Sequence, residues 1–68
     1  MNVKALEMIK KISENKSVDV FTTGNTFKDV YIKIISNGVV ECQRKSVYGE
    51  VLGTIFIDVE SITAVNTF

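Results

Sequence analysis

The 68-residue chain contains no His, no Pro and no Trp, and it has a single Cys. Each absence excludes something. Without His there is no imidazole for a catalytic triad or a Cys/His zinc site. One Cys builds no disulfide framework, and an unpaired thiol fits a reducing compartment. With no Pro and only four Gly, no linker divides the chain. An excess of charge of one sign is missing too. Eight Lys and Arg balance eight Asp and Glu, for a net charge of zero. That argues against a strongly basic nucleic-acid footprint but leaves room for a local patch. No apolar run approaches the ~20 residues of a membrane span. The first residues alternate Lys, Glu and apolar types, so no signal peptide is expected. The chain therefore reads as cytoplasmic, with no membrane partner.

What is present is apolar: 46% of the residues are hydrophobic, above the level of a disordered chain. The expectation is one domain over residues 1–68. A chain this short buries only about 60% of its unfolded surface. A barrel of this size fills its interior with side chains and leaves no cleft. No catalytic residues, cofactor or metal are therefore expected. Asp58 and Glu60, with Asp29, are acids that lack the spacing of a calcium loop, and they read as solvated turns. Cys42 has no neighbouring base or thiol and reads as a buried, inert strand residue.

The pattern changes near Lys16. Before it, residues 1–15 read as a helix from Met1 to Glu14, with Asn2 as its cap and Asn15 as its end. Ala5, Leu6, Met8, Ile9 and Ile12 share one arc of the helical wheel, opposite Lys4, Glu7, Lys10, Lys11 and Glu14. The arc should set Leu6, Ile9 and Ile12 against Val20, Ile32 and Val40. After Lys16 the period is two and β-branched residues dominate. The expected strands are Val18 to Thr22, Phe27 to Ile35, Val39 to Arg44, Val51 to Ile57 and Ile62 to Val65. The second should point Val30, Ile32 and Ile34 inward. Thr23-Gly24-Asn25-Thr26 and Ser36-Asn37-Gly38 read as turns. The fold class is mainly β: an N-terminal helix on a five-stranded, bent antiparallel barrel of SH3-like or Sm-like type over 17–66.

The run Val51-Leu52-Gly53-Thr54-Ile55-Phe56-Ile57-Asp58-Val59-Glu60-Ser61-Ile62-Thr63-Ala64-Val65 resembles the second sequence motif of the Sm-like (LSm/Hfq-type) small β-barrel family. That motif has Leu-Gly, an apolar strand, a two-residue turn that is usually Arg-Gly, and a short strand. Thr23-Gly24-Asn25-Thr26-Phe27-Lys28-Asp29-Val30 resembles the first motif, Gly-x-x-Phe-x-Gly-x-apolar. The resemblance covers about residues 17 to 65, and the helix fits the family's N-terminal cap. It implies a ring-forming module that binds single-stranded RNA through an Asn between strands two and three and the Arg-Gly turn. Asp58-Val59 stands where Arg-Gly would, and an acid there repels phosphate. The Tyr-Lys-His turn of the bacterial branch is also missing.

Two function classes follow. One is a ring that binds RNA, with Asn37 on a base edge, Arg44 and Lys45 on phosphates, and Tyr48 stacking. The other is a structural or adaptor ring with protein partners, its RNA site lost. Assembly is common to both. Val51 to Ile57 is apolar on both faces, and nothing blunts its edge. In the family the fourth strand of one subunit pairs with the fifth of the next. The resemblance therefore implies a homo-oligomeric ring of about five to seven subunits, built by a head-to-tail contact. Leu52, Ile55, Phe56, Ile62 and Val65 are the expected interface residues.

Overall fold

A computed structural model describes residues 1–67; Phe68, the last residue of the expected domain, lies outside the described residues. The elements are α1 (Val3–Ile12), β1 (Val18–Thr22), β2 (Thr26–Ser36), β3 (Val39–Lys45), β4 (Val51–Asp58), a 3-10 turn (Val59–Ser61) and β5 (Ile62–Thr67). All strand pairs are antiparallel, in the order β4-β3-β2-β1-β5. The fold is thus the expected helix followed by five β-strands. The sheet is bent but not closed, because β4 and β5 remain its two edges. Among the described residues, no helix is long and apolar enough to cross a membrane.

Bending comes from a bulge in every strand pair. An extra residue on one strand breaks the ladder and increases local twist. Val18 pairs with Val30 and Val20 with Phe27, so Lys28 and Asp29 together face Asp19. Asp29 takes φ 59° to make this possible. Lys33 is the extra residue between the pairs Ile32–Cys42 and Ile34–Glu41. Leu52 is extra between Arg44–Gly53 and Lys45–Val51. Thr63 is extra between Phe21–Ala64 and Thr22–Ile62, and its Oγ1 donates to the Phe21 carbonyl at 3.2 Å.

A one-residue slip exchanges the faces of a strand. Val30 and Ile32 point into the core as expected, but Ile34, beyond the Lys33 bulge, is 51% exposed. Ile35 packs against the core in its place. In the same way the Leu52 bulge turns Val51 out of the face that Ile55 and Ile57 share.

The core consists of Leu6, Val18, Val20, Val30, Ile32, Val40, Cys42, Ile57, Val59 and Ile62. It is almost wholly β-branched, as strand propensity favours. Asn2 caps α1, its Oδ1 accepting from the Lys4 amide at 2.7 Å and the Ala5 amide at 3.4 Å. The C-terminal end differs from expectation. The helix stops at Ile12 with Ser13 as its cap, and Asn15 has no left-handed backbone. Ser13 is buried; its N–H donates to the Ile9 carbonyl at 2.9 Å and its Oγ to the Lys10 carbonyl at 3.1 Å. A line from Leu6 to Ser13 therefore faces the sheet. Ile12 lies roughly 120° around the wheel from Leu6 and is 56% exposed instead of buried.

Candidate functional site

β4 and β5 carry the features expected of an assembly contact. Each has a neighbour on one side only. From Val51 to Ile57, β4 has no charged residue, and β5 has none from Ile62 to Thr67. Proteins usually protect such edges with Lys, Pro, a bulge or a covering element; here each strand carries a single bulge, at Leu52 and at Thr63. On β4, Leu52 is 69% and Phe56 67% exposed. Register extends this surface inward from the edge: Phe56 lies opposite Glu41, which lies opposite Ile34. A shallow groove of about 260 Å³ runs here, lined by Ile34, Ser36, Asn37, Val39, Glu41 and Phe56. Ile55 and Val65 are half-buried and pack against the core. Ile62, expected at the interface, is only 3% exposed; it supports β5 from inside.

The four residues expected to hold RNA do not come together. Asn37 lies in the β2–β3 turn, before the first residue of β3, while Lys45 is the last residue of that strand. Seven residues of strand separate them by roughly 20 Å at ~3.3 Å per residue. Asn37 (φ 52°) and Gly38 (φ 75°) form the two-residue turn, the left-handed pair that suits a tight hairpin. Tyr48 is at the tip of the other loop, almost fully exposed. That loop is held by Ser46, whose N–H donates to the Glu50 carbonyl at 2.8 Å and whose Oγ accepts from the Tyr48 and Glu50 amides at 3.2 Å. Arg44 is exposed. Lys45 does not extend into the loop: its Nζ sits 4.7 Å from the centre of the Tyr31 ring.

The turn after β4 is built differently from an Arg-Gly turn. Asp58 Oδ1 accepts from the Glu60 amide at 3.0 Å, and Ser61 Oγ donates to the Asp58 carbonyl at 2.7 Å. The acid therefore caps the 3-10 turn. Val59, in the place of the glycine, is a core residue. Its N–H donates to the Gly38 carbonyl at 2.9 Å, and its carbonyl accepts from the Met1 nitrogen at 2.8 Å. The two turns that the resemblance assigns to RNA are thus adjacent, but the cation is replaced by a structural carboxylate.

Cys42 is fully buried. Desolvation, with a smaller contribution from the Glu41 carboxylate, pushes its thiol up to about 11. A thiol held protonated is a poor nucleophile. Among the described residues, no three His, Cys, Asp or Glu side chains gather as metal ligands.

Sequence reasoning missed Tyr31, Lys10 and Lys33, which meet Lys45 in a cleft beside the helix end. The hairpin turn gave a signal for Tyr31, since it fixes which end of β3 lies opposite. Set against models of known protein families, curated proteins and solved structures, the chain matches none.

Proposed function

We propose that this chain is an Sm-like module whose work is assembly. The β4 edge of one copy pairs with the β5 edge of the next, closing a homo-oligomeric ring of about five to seven subunits. The observation that carries this reading is the strand order, which leaves two unpaired edges on one small sheet, uncharged from Val51 to Ile57 and from Ile62 to Thr67. Such edges add strands readily. Exposed Leu52 and Phe56 beside the β4 edge supply apolar area to the same contact.

Of the two roles for such a ring, the geometry favours a scaffold with protein partners. Asn37 stands apart from Arg44, Lys45 and Tyr48, and Asp58 and Glu60 are exposed on the turn next to Asn37. Carboxylates there oppose a phosphate backbone. Light scattering on the parent and on Phe56→Lys tests assembly. The expected result is a multimer for the parent and a smaller species for the variant. A monomeric parent would overturn the proposal. Native mass measurement with a short uridine-rich strand separates the roles: no mass increase supports the scaffold, and a bound strand supports the RNA-binding ring.

A further inference from the structure

A cleft of about 210 Å³ lies between the last turn of α1 and the strands β2 and β3. Its walls are Lys10, Ser13, Glu14, Tyr31, Lys33 and Lys45, with Ile32 beneath.

The charges are unevenly placed. Three lysines and one glutamate line this cleft, a formal surplus of two in a chain whose charges cancel. The three lysines come from three elements: Lys10 from α1, Lys33 from β2 and Lys45 from β3. Lys33 is the bulge residue, the one position between Ile32 and Ile34 with no opposite number on β3. Bulges commonly re-aim a side chain beside a site. Lys45 lies over the Tyr31 ring, whose π-face attracts a cation, and both residues line the cleft. A helix C-terminus ordinarily disfavours an anion, because its last carbonyls carry partial negative charge. Here the Ser13 hydroxyl donates to one of them, the Lys10 carbonyl.

Gathered ammonium groups repel one another, and a multiply charged anion relieves that repulsion. Each lysine is a compact, strongly hydrated donor suited to phosphoryl oxygens. The Tyr31 hydroxyl is a further donor. We propose that the cleft binds a small phosphoryl anion, either a free diphosphate or the phosphate tail of a nucleotide. None of its lining residues belongs to β4 or β5, although Lys45 lies opposite Val51 of β4.

Calorimetric titration of the full chain with pyrophosphate at low ionic strength tests the proposal, with ATP and sulfate titrated in parallel. Pyrophosphate should bind, and its affinity should fall steeply with added salt. Lys33→Gln and Lys45→Gln should each weaken it about tenfold, the scale of one lost charge-assisted contact. Sulfate, with less charge, should bind more weakly. ATP matching pyrophosphate identifies the nucleotide tail as an equal source; ATP binding more weakly identifies the free anion. Lys33 is exposed, so Lys33→Gln should fold, and an unchanged circular dichroism spectrum checks this. The two tyrosines give a second readout. The Tyr31 ring resonances should shift during the titration more than those of Tyr48, which does not line the cleft. No heat with pyrophosphate at low salt would overturn the proposal. So would equal affinity in the glutamine variants, or ATP binding that leaves the Tyr31 signals unmoved.

Discussion

The main-chain N–H of Asp29 donates to the carboxylate of Asp19 at 3.0 Å, while Asp29 itself sits at φ 59°. The acceptor is the one residue of β1 that faces the two-residue bulge in β2. The ladder loses a partner there, and a side chain replaces it. Glycine takes this conformation without steric cost.

Asp29→Gly should therefore leave stability unchanged or slightly raised. Asp29→Val should cost about 1–2 kcal/mol, because a β-branched residue is strained in the left-handed region. Asp19→Ala should destabilise by about 1 kcal/mol through loss of the hydrogen bond. Urea melts of the three variants check the order. A valine variant as stable as the parent would show that the bulge is not held in this form.

Ile32→Ala should cost about 2–5 kcal/mol, the usual range for opening a cavity in a core. Ile32 is buried just before the Lys33 bulge. In so small a domain that is a large part of the total stability. A melting temperature within a degree or two of the parent would contradict the core described above.

Ile12→Ser and Met8→Ser should change stability by less than about 0.5 kcal/mol each, as exposed positions do. Leu6→Ala should cost several times more. Chemical denaturation of these variants tests the helix orientation. A large loss at Ile12 would put the apolar arc, and not the line from Leu6 to Ser13, against the sheet.

Cys42 should give the molecule an alkaline limit. Its thiol titrates near 9.0 unperturbed and at about 11 in the fold. The folded state keeps a proton that the unfolded state releases, so this contribution is complete below pH 9 and lost as pH rises towards 11. Between those limits stability should fall by up to about 1.4 kcal/mol per pH unit. Cys42→Ala, less stable overall, should show a shallower fall across the same window. Parallel slopes in the two proteins would show that Cys42 does not set the alkaline loss. Thiol reagents should label the folded parent slowly.

Much of the fold was legible because local signals agreed. Asn37-Gly38 between two alternating runs fixed the central hairpin, and the change from helical to alternating period fixed the start of β1. The bulges were not legible. Ile34 and Ile35 are both apolar, so a slip at Lys33 exchanges one isoleucine for another and leaves no mark on the pattern. The same slip hid the cleft. An unbroken ladder would put Tyr31 opposite Arg44, whereas the bulge puts it opposite Gln43 and brings Lys45 over its ring. The helix end was misread because Ser13 is polar. Its hydroxyl is satisfied by the Lys10 carbonyl, so it fills a core position that the wheel assigned to Ile12. The β4 and β5 edges were readable as uncharged runs, but Ile62 was not separable from its exposed neighbours until the Thr63 bulge was placed.

The ladder between β1 and β5 joins residues 18–22 to residues 62–67, while β1, β2, β3 and β4 follow one another through short turns. The first ladder must close a long stretch of chain before its contacts repay the lost entropy, and the others need close only a few residues. The four-stranded meander from β1 to β4 is therefore the expected nucleus, with β5 docking late. In the finished sheet β5 has strand bonds to β1 alone. Its amides should exchange with solvent through openings that leave the meander intact, which makes the last strand to arrive also the first to leave.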